Sequence, residues 1–181
     1  LRHYHAVVWA VGAEADRALD IPGESLAGSH TATEFVGWYN GHPDFQDRRF
    51  DLDQEAAAVV GVGNVAMDVT RILVSDPDDL ARTDIAAQAL KALRASRVRT
   101  IYLLGRRGPA QAAFTNPELK ELGELPLADV IVRAEDLELD AATKASLEAT
   151  PDREAEKNLK TLRAFLERGV TGRPRRIELR F

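Results

Sequence analysis

Between residues 56 and 73 the chain changes character twice in quick succession. An apolar run, Ala56-Ala57-Ala58-Val59-Val60, ends in Gly61-Val62-Gly63-Asn64, and a helical pattern starts at once. Val65, Ala66, Val69, Ile72 and Leu73 fall on one face of that helix. Strand, G-x-G-x-x-A and helix in this order leave few folds open. Gly61 permits the tight turn. Gly63 lets the backbone approach a pyrophosphate without a Cβ in the way, and Ala66 keeps helix and strand close. The helix N-terminus then offers free N–H groups and its positive dipole end to phosphates. The pattern predicts a dinucleotide site; the competing reading is a tight βα turn with no ligand.

The rest of the chain reads as more of the same alternation. Residues 6–11 are a continuous apolar run closed by Gly12, which predicts a buried strand. Residues 13–54 are rich in turn residues and read as a connector with little regular structure, of a length that marks function or a domain crossing. The first helix stops near Ser75-Asp76-Pro77-Asp78. Thr83-Asp84 is expected to cap another, with Ile85, Ala89, Leu90 and Leu93 on one face. Thr100–Leu104 is a strand by its β-branched and apolar content. Pro117 suits the first turn of a helix carrying Leu119 and Leu122. A short strand at residues 130–132, helices at 141–149 and 153–168, and a last strand over 175–181 complete the reading. Strands alternating with helices imply an α/β fold with a parallel layered sheet.

Composition removes several classes of chemistry. The chain has 181 residues, no Cys and a net charge of −5. Its length favours one domain, or one plus a fragment. Without Cys there is no disulfide, thiolate zinc site, Fe–S ligation or Cys nucleophile. The acidic balance argues against a general nucleic-acid or anionic-membrane binder. No apolar run approaches ~18 residues, and no signal peptide is visible; the expected compartment is the bacterial-type cytoplasm. The chain begins with Leu and stops in an apolar run, so it reads as a piece of something larger. His3, His5, His30 and His42 make no metal-binding pattern. Nor is there a G-x-S-x-G elbow or a Tyr with Lys four residues on.

The end of the second motif strand decides which dinucleotide is expected. NAD sites place an acid there for the ribose 2′-hydroxyl. Here Leu104 is followed by Gly105, Arg106 and Arg107, and no acid. Two guanidinium groups suit a 2′-phosphate, so NADP is favoured. The interval from Gly63 to Arg106 is about twice the usual ~20 residues, which the helix near 84–95 explains as an insertion. Asn64, Asp68 and Arg71 lie at one edge of the apolar stripe, where Asp68 could face a nicotinamide; the alternative is an i, i+3 ion pair worth about 0.2–0.5 kcal/mol. Charge is also uneven along the chain. Residues 151–181 carry nine basic and five acidic residues. On helix 153–168, Arg153, Lys157, Lys160 and Arg168 share one arc, which reads as a solvated face or as a docking patch for an acidic protein.

The strings GVGNVAMDVTRIL, ARTDIA and LLGRRGPAQAAFTNPELKEL resemble adrenodoxin-reductase-type ferredoxin–NADP reductases, as do VVWAVGAEADRALDIPGE and FVGWYNGHPDF. The resemblance covers residues 4 to about 125 with specific motifs. It implies a Rossmann-like three-layer parallel sheet, the NADP domain of a flavoprotein reductase with two dinucleotide-binding domains. Residues 1–54 would then be the edge of an FAD domain and the crossover connector, and 55–181 the NADP-binding domain. It implies that Gly61, Val62, Gly63, Asn64 and Val65 hold the pyrophosphate through backbone N–H groups, and that Arg106 and Arg107 hold the 2′-phosphate. Glu118 matches an acid near the cofactor, Asp68 an acid near the nicotinamide, and Lys120 a basic position used to dock an acidic iron–sulfur protein. The family's N-terminal G-x-G-x-x-G for FAD is not in this sequence. The chain is therefore expected to bind NADP without FAD, and to be inactive alone. A stand-alone NADP-sensing module and the NADPH domain of a glutamate-synthase-type reductase are the rival readings.

Overall fold

The computed structural model describes residues 3–9 and 16–181. Four strands, β1 (Ala56–Val60), β2 (Thr100–Leu104), β3 (Ala128–Val132) and β4 (Arg175–Arg180), form one sheet in the order β1-β2-β4-β3, every pair parallel. Parallel pairing needs a crossover between consecutive strands. Helices supply them: α1 (Ala32–Tyr39) precedes β1, and α2 (Asn64–Val74), α3 (Pro77–Leu80) and α4 (Ala87–Arg94) lead to β2. Then α5 (Asn116–Glu124) leads to β3, and α6 (Ala141–Ala149) with α7 (Arg153–Arg168) to β4.

The core follows from strand alternation. Ile101, Leu103, Ile177, Leu179, Val130 and Val132 share one face in register and are buried. Helix α2 packs on β1, β2 and β4, whereas α5 and α7 pack on β3 and on each other. Met67, Leu73, Val74, Leu119, Leu122, Leu162 and Phe165 are their contributions to a single contiguous core. The α5–α7 approach is close enough that a Cβ on Gly123 would clash with the Phe165 ring. Alternate strand positions, Ala58, Tyr102 and Glu178, share the opposite face, where Tyr102 is 36% exposed.

Three expectations are corrected. Residues 6–9 form no strand and lie exposed, Val8 and Trp9 most of all; a strand needs a neighbour for its backbone groups, and none pairs with them among the described residues. Residues 10–11, the end of that run, and 12–15 lie outside the described residues. The turn-rich connector contains α1, which Thr31 caps by accepting from the Glu34 amide. Its Phe35 and Trp38 enter the main core, where both meet Phe50. Finally, Thr83-Asp84 does not cap α4. Thr83 Oγ1 donates to the Leu80 carbonyl at 2.7 Å, closing the preceding turn, and α4 starts only at Ala87.

Asp129 locks the entry into β4. It is 1% exposed, and its carboxylate accepts from the Thr171 hydroxyl and from the amides of Thr171, Gly172 and Arg173 at 2.6–3.2 Å. Burial pushes its carboxyl up, but these four donors together hold it below its ordinary value of 3.8. A depressed folded-state pKa gives stability that is present above 3.8 and lost as pH falls through the folded value. Asp129→Asn is therefore expected to lower unfolding stability by on the order of 2 kcal/mol at neutral pH. Urea unfolding of both proteins should show the gap closing as the medium is acidified below pH 4; a gap constant with pH would contradict the charge-based account.

Candidate nucleotide site

The register of the two motif strands builds the site. Val60 pairs with Leu104, and the Gly61 amide donates to the Leu104 carbonyl at 2.9 Å. The turn after β1 and the turn after β2 therefore lie side by side at the carboxyl end of the sheet, where open α/β sheets bind ligands. Gly61 has φ +134°, a conformation that L side chains rarely adopt, so the turn requires glycine there. Gly63 does not need its freedom for conformation, since its φ is −109°. Its use is space: a Cβ built on it would meet no atom within 4 Å.

Gly63 is also the N-cap of α2 and offers no side chain to the first-turn amides of Asn64, Val65 and Ala66. No acidic residue lies in that turn. An uncapped helix start without a carboxylate of its own, facing open space, fits an anionic group. The Asn64 side chain does not point its carbonyl there; its Oδ1 accepts from the Thr115 amide at 3.0 Å.

Arg106 and Arg107 follow β2 and are exposed. Neither makes an ion pair or a side-chain hydrogen bond among the described residues. Arg180, at the same end of β4, differs: it pairs with Asp136 at 2.8 Å and Glu135 at 3.4 Å. The two loop arginines are thus cations without matching carboxylates. Gly105 anchors their loop, because its amide donates to the Arg180 carbonyl at 2.7 Å and a Cβ would sit 2.9 Å from the Phe181 ring.

Asp68 does pair with Arg71, at 3.1 Å, but as part of a larger group. Arg71 also bonds Glu118, its nearest partner, and approaches Glu121 at 3.8 Å. Three carboxylates around one guanidinium leave a net negative cluster between α2 and α5, one helical turn beyond Asn64. Tyr39 of α1 belongs to its surroundings: burial raises its phenol above 10.0, Asp68 adds to that, and Arg71 opposes it. Glu121 was not singled out by sequence; its spacing of three from Glu118, on the same face of α5, was the available signal.

The basic arc of α7 is only partly free. Arg153, Lys157 and Lys160 are exposed, with Lys157 3.6 Å from Glu154. Arg168 is used within the fold, donating to the Gly123 carbonyl at 2.9 Å and lying over the Phe165 ring. Lys120 is exposed on α5. The described residues hold no group of three or more His, Cys, Asp or Glu able to bind a metal, and no helix long and apolar enough to cross a membrane.

The chain is 49% identical over 178 residues to NADPH-ferredoxin reductase FprA of Mycobacterium leprae, a match over 98% of this chain and 38% of the relative. It is 55% identical over 129 residues to the human mitochondrial NADPH:adrenodoxin oxidoreductase, covering 71% of this chain and 26% of that one. The solved structure of Mycobacterium tuberculosis FprA in complex with NADPH superposes with a TM-score of 0.86 at 48% identity, over 98% of this chain and 38% of that chain. The chain matches a segment of the adrenodoxin-reductase-type ferredoxin–NADP reductases. It spans under two fifths of the length of the FprA relatives. Over this segment the fold is theirs: a four-stranded parallel sheet with flanking helices. No family model matches the chain. The relatives are oxidoreductases.

Proposed function

We propose that this chain is the NADP(H)-binding region of a ferredoxin–NADP reductase of the adrenodoxin-reductase type, with residues 55–181 as the nucleotide-binding unit and residues 1–54 as the edge of the FAD domain and the crossover. One observation carries the reading: an uncapped glycine turn and two unmatched arginines lie side by side at the carboxyl end of one parallel sheet.

Each residue has a distinct task. The backbone of Gly61–Val65 receives the pyrophosphate, with the amides at the start of α2 as donors. Arg106 and Arg107 grip the 2′-phosphate, which distinguishes NADP from NAD. Glu118 lies near the cofactor through its bond to Arg71. Asp68 faces the nicotinamide end and orients it. When bound, NADPH supplies a hydride, whose acceptor in the intact enzyme is FAD; the electrons leave to an iron–sulfur protein. The chain's own contribution is binding and orientation. Lys120, Arg153, Lys157 and Lys160 form the surface that meets the acidic electron acceptor.

Replacing Arg106 and Arg107 together by Ala should weaken NADP+ binding by about 3 kcal/mol, roughly a hundredfold, and leave NAD+ nearly unaffected. Calorimetric titration of the two nucleotides checks this, and equal losses for both would refute the 2′-phosphate assignment. For the docking surface, reversing charge at Lys157 and Lys160 should raise the KM for an acidic ferredoxin and flatten its dependence on salt. Unchanged ferredoxin kinetics in that variant would leave α7 a merely solvated face.

A further inference from the structure

The segment 113–116, which joins the arginine loop to α5, is held from two sides. Toward the glycine turn, the Ala113 amide donates to the Val62 carbonyl at 2.9 Å, and the Thr115 amide donates to Asn64 Oδ1 at 3.0 Å. Toward α7, the Phe114 carbonyl accepts from Asn158 Nδ2 at 3.1 Å. Asn116 donates from its Nδ2 to Asn158 Oδ1 at 3.1 Å and to Thr161 Oγ1 at 2.9 Å, and from its backbone to Glu154 Oε1 at 2.7 Å. Ala113 and Thr115 thus bond the turn, and Phe114 and Asn116, the first residue of α5, bond α7. The segment is a strap that ties the glycine turn to α7.

Asn158 is the buried centre of that tie. It is 1% exposed, among Ala155, Leu159 and Leu162 on the inner face of α7. An amide at such a place is costly unless it is bonded, and an apolar residue would bury more area. Its donor and its acceptor are both used, and both on the strap. Nothing in α7 itself needs them.

We propose that Asn158, with Thr161 behind Asn116, is a positioning residue for the pyrophosphate: it fixes the strap, and the strap fixes the Val62-Gly63-Asn64 backbone in its open, ligand-ready geometry. The inference rests on the NADP-binding reading above. It separates two halves of the site. The glycine turn depends on Asn158 through Ala113 and Thr115. The arginine pair has its own tie, at Gly105, whose amide donates to the Arg180 carbonyl of β4 and not to α7 or the strap.

The test uses the full-length natural protein and two probes, NADP+ and 2′-AMP, titrated by calorimetry. The second carries the 2′-phosphate and lacks the pyrophosphate. Asn158→Ala is expected to raise the Kd for NADP+ about tenfold while changing that for 2′-AMP less than about twofold. Thr161→Val, an isosteric change at a half-buried position, should give the same pattern at about threefold, and decides the matter if Asn158→Ala does not fold. Unchanged NADP+ affinity in the variants would overturn the proposal, and so would an equal loss for both probes, which marks general loosening. Failure of the unsubstituted protein to bind NADP+ would overturn the cofactor reading beneath it, a result distinguishable from either.

Discussion

The parallel pairing of β1 with β2 is the constraint on which the site depends. With Val60 opposite Leu104, the two strands end level, and the chain must turn at Gly61 and at Gly105 in neighbouring positions. A register slip of one residue would turn the buried face of either strand outward and separate the two turns. The register is secured by Ile101 and Leu103, which have no exposed surface, against Ala57 and Val59 on one side and Ile177 and Leu179 on the other. Packing thus sets the distance between a glycine turn and an arginine pair that are over forty residues apart in sequence.

Polar groups then do what packing cannot. The core aligns strands but leaves loops free, and both loops of the site are tied by backbone-directed bonds. Gly105 is tied to β4, Ala113 and Thr115 to the first turn, and Phe114 and Asn116 to α7. Electrostatics is divided in the same way. Arg180, Arg168 and Arg173 have carboxylates or carbonyls within the fold, whereas Arg106 and Arg107 find no matching carboxylate among the described residues. Charge that the fold does not use is the charge a ligand can use.

Most of this frame was legible in the sequence. The elements with strong periodicity or a distinct end were β1, α2, β2, α7 and β4, and they form close to their expected bounds. The parallel α/β class followed from their alternation. What could not be read depended on partners distant in sequence. Helix α1 lies in a stretch of turn residues, and it is secured by Phe35 and Trp38 against Phe50 and by packing on α2 and α4. The run at 6–9 has the composition of a strand but no described neighbour to pair with. Thr83 looked like a helix cap because hydroxyls cap helices, yet its hydroxyl closes the turn before it. In the site, spacing offered the Asp68–Arg71 pair, but not that Arg71 also gathers Glu118 and Glu121 from α5, which are nearly fifty residues away in sequence. Asn158 was not singled out in the sequence; only its two bonds to the strap give it a role.

The chain thus combines a rigid parallel sheet, a glycine turn braced from α7 and a pair of unmatched arginines. The most direct test of the account is a crystal structure of the full-length natural protein with NADP+. The account predicts pyrophosphate oxygens on the amides of Asn64 or Val65 and the 2′-phosphate between Arg106 and Arg107. A nucleotide bound away from the carboxyl end of the sheet, or with its 2′-phosphate turned from both arginines, would contradict it.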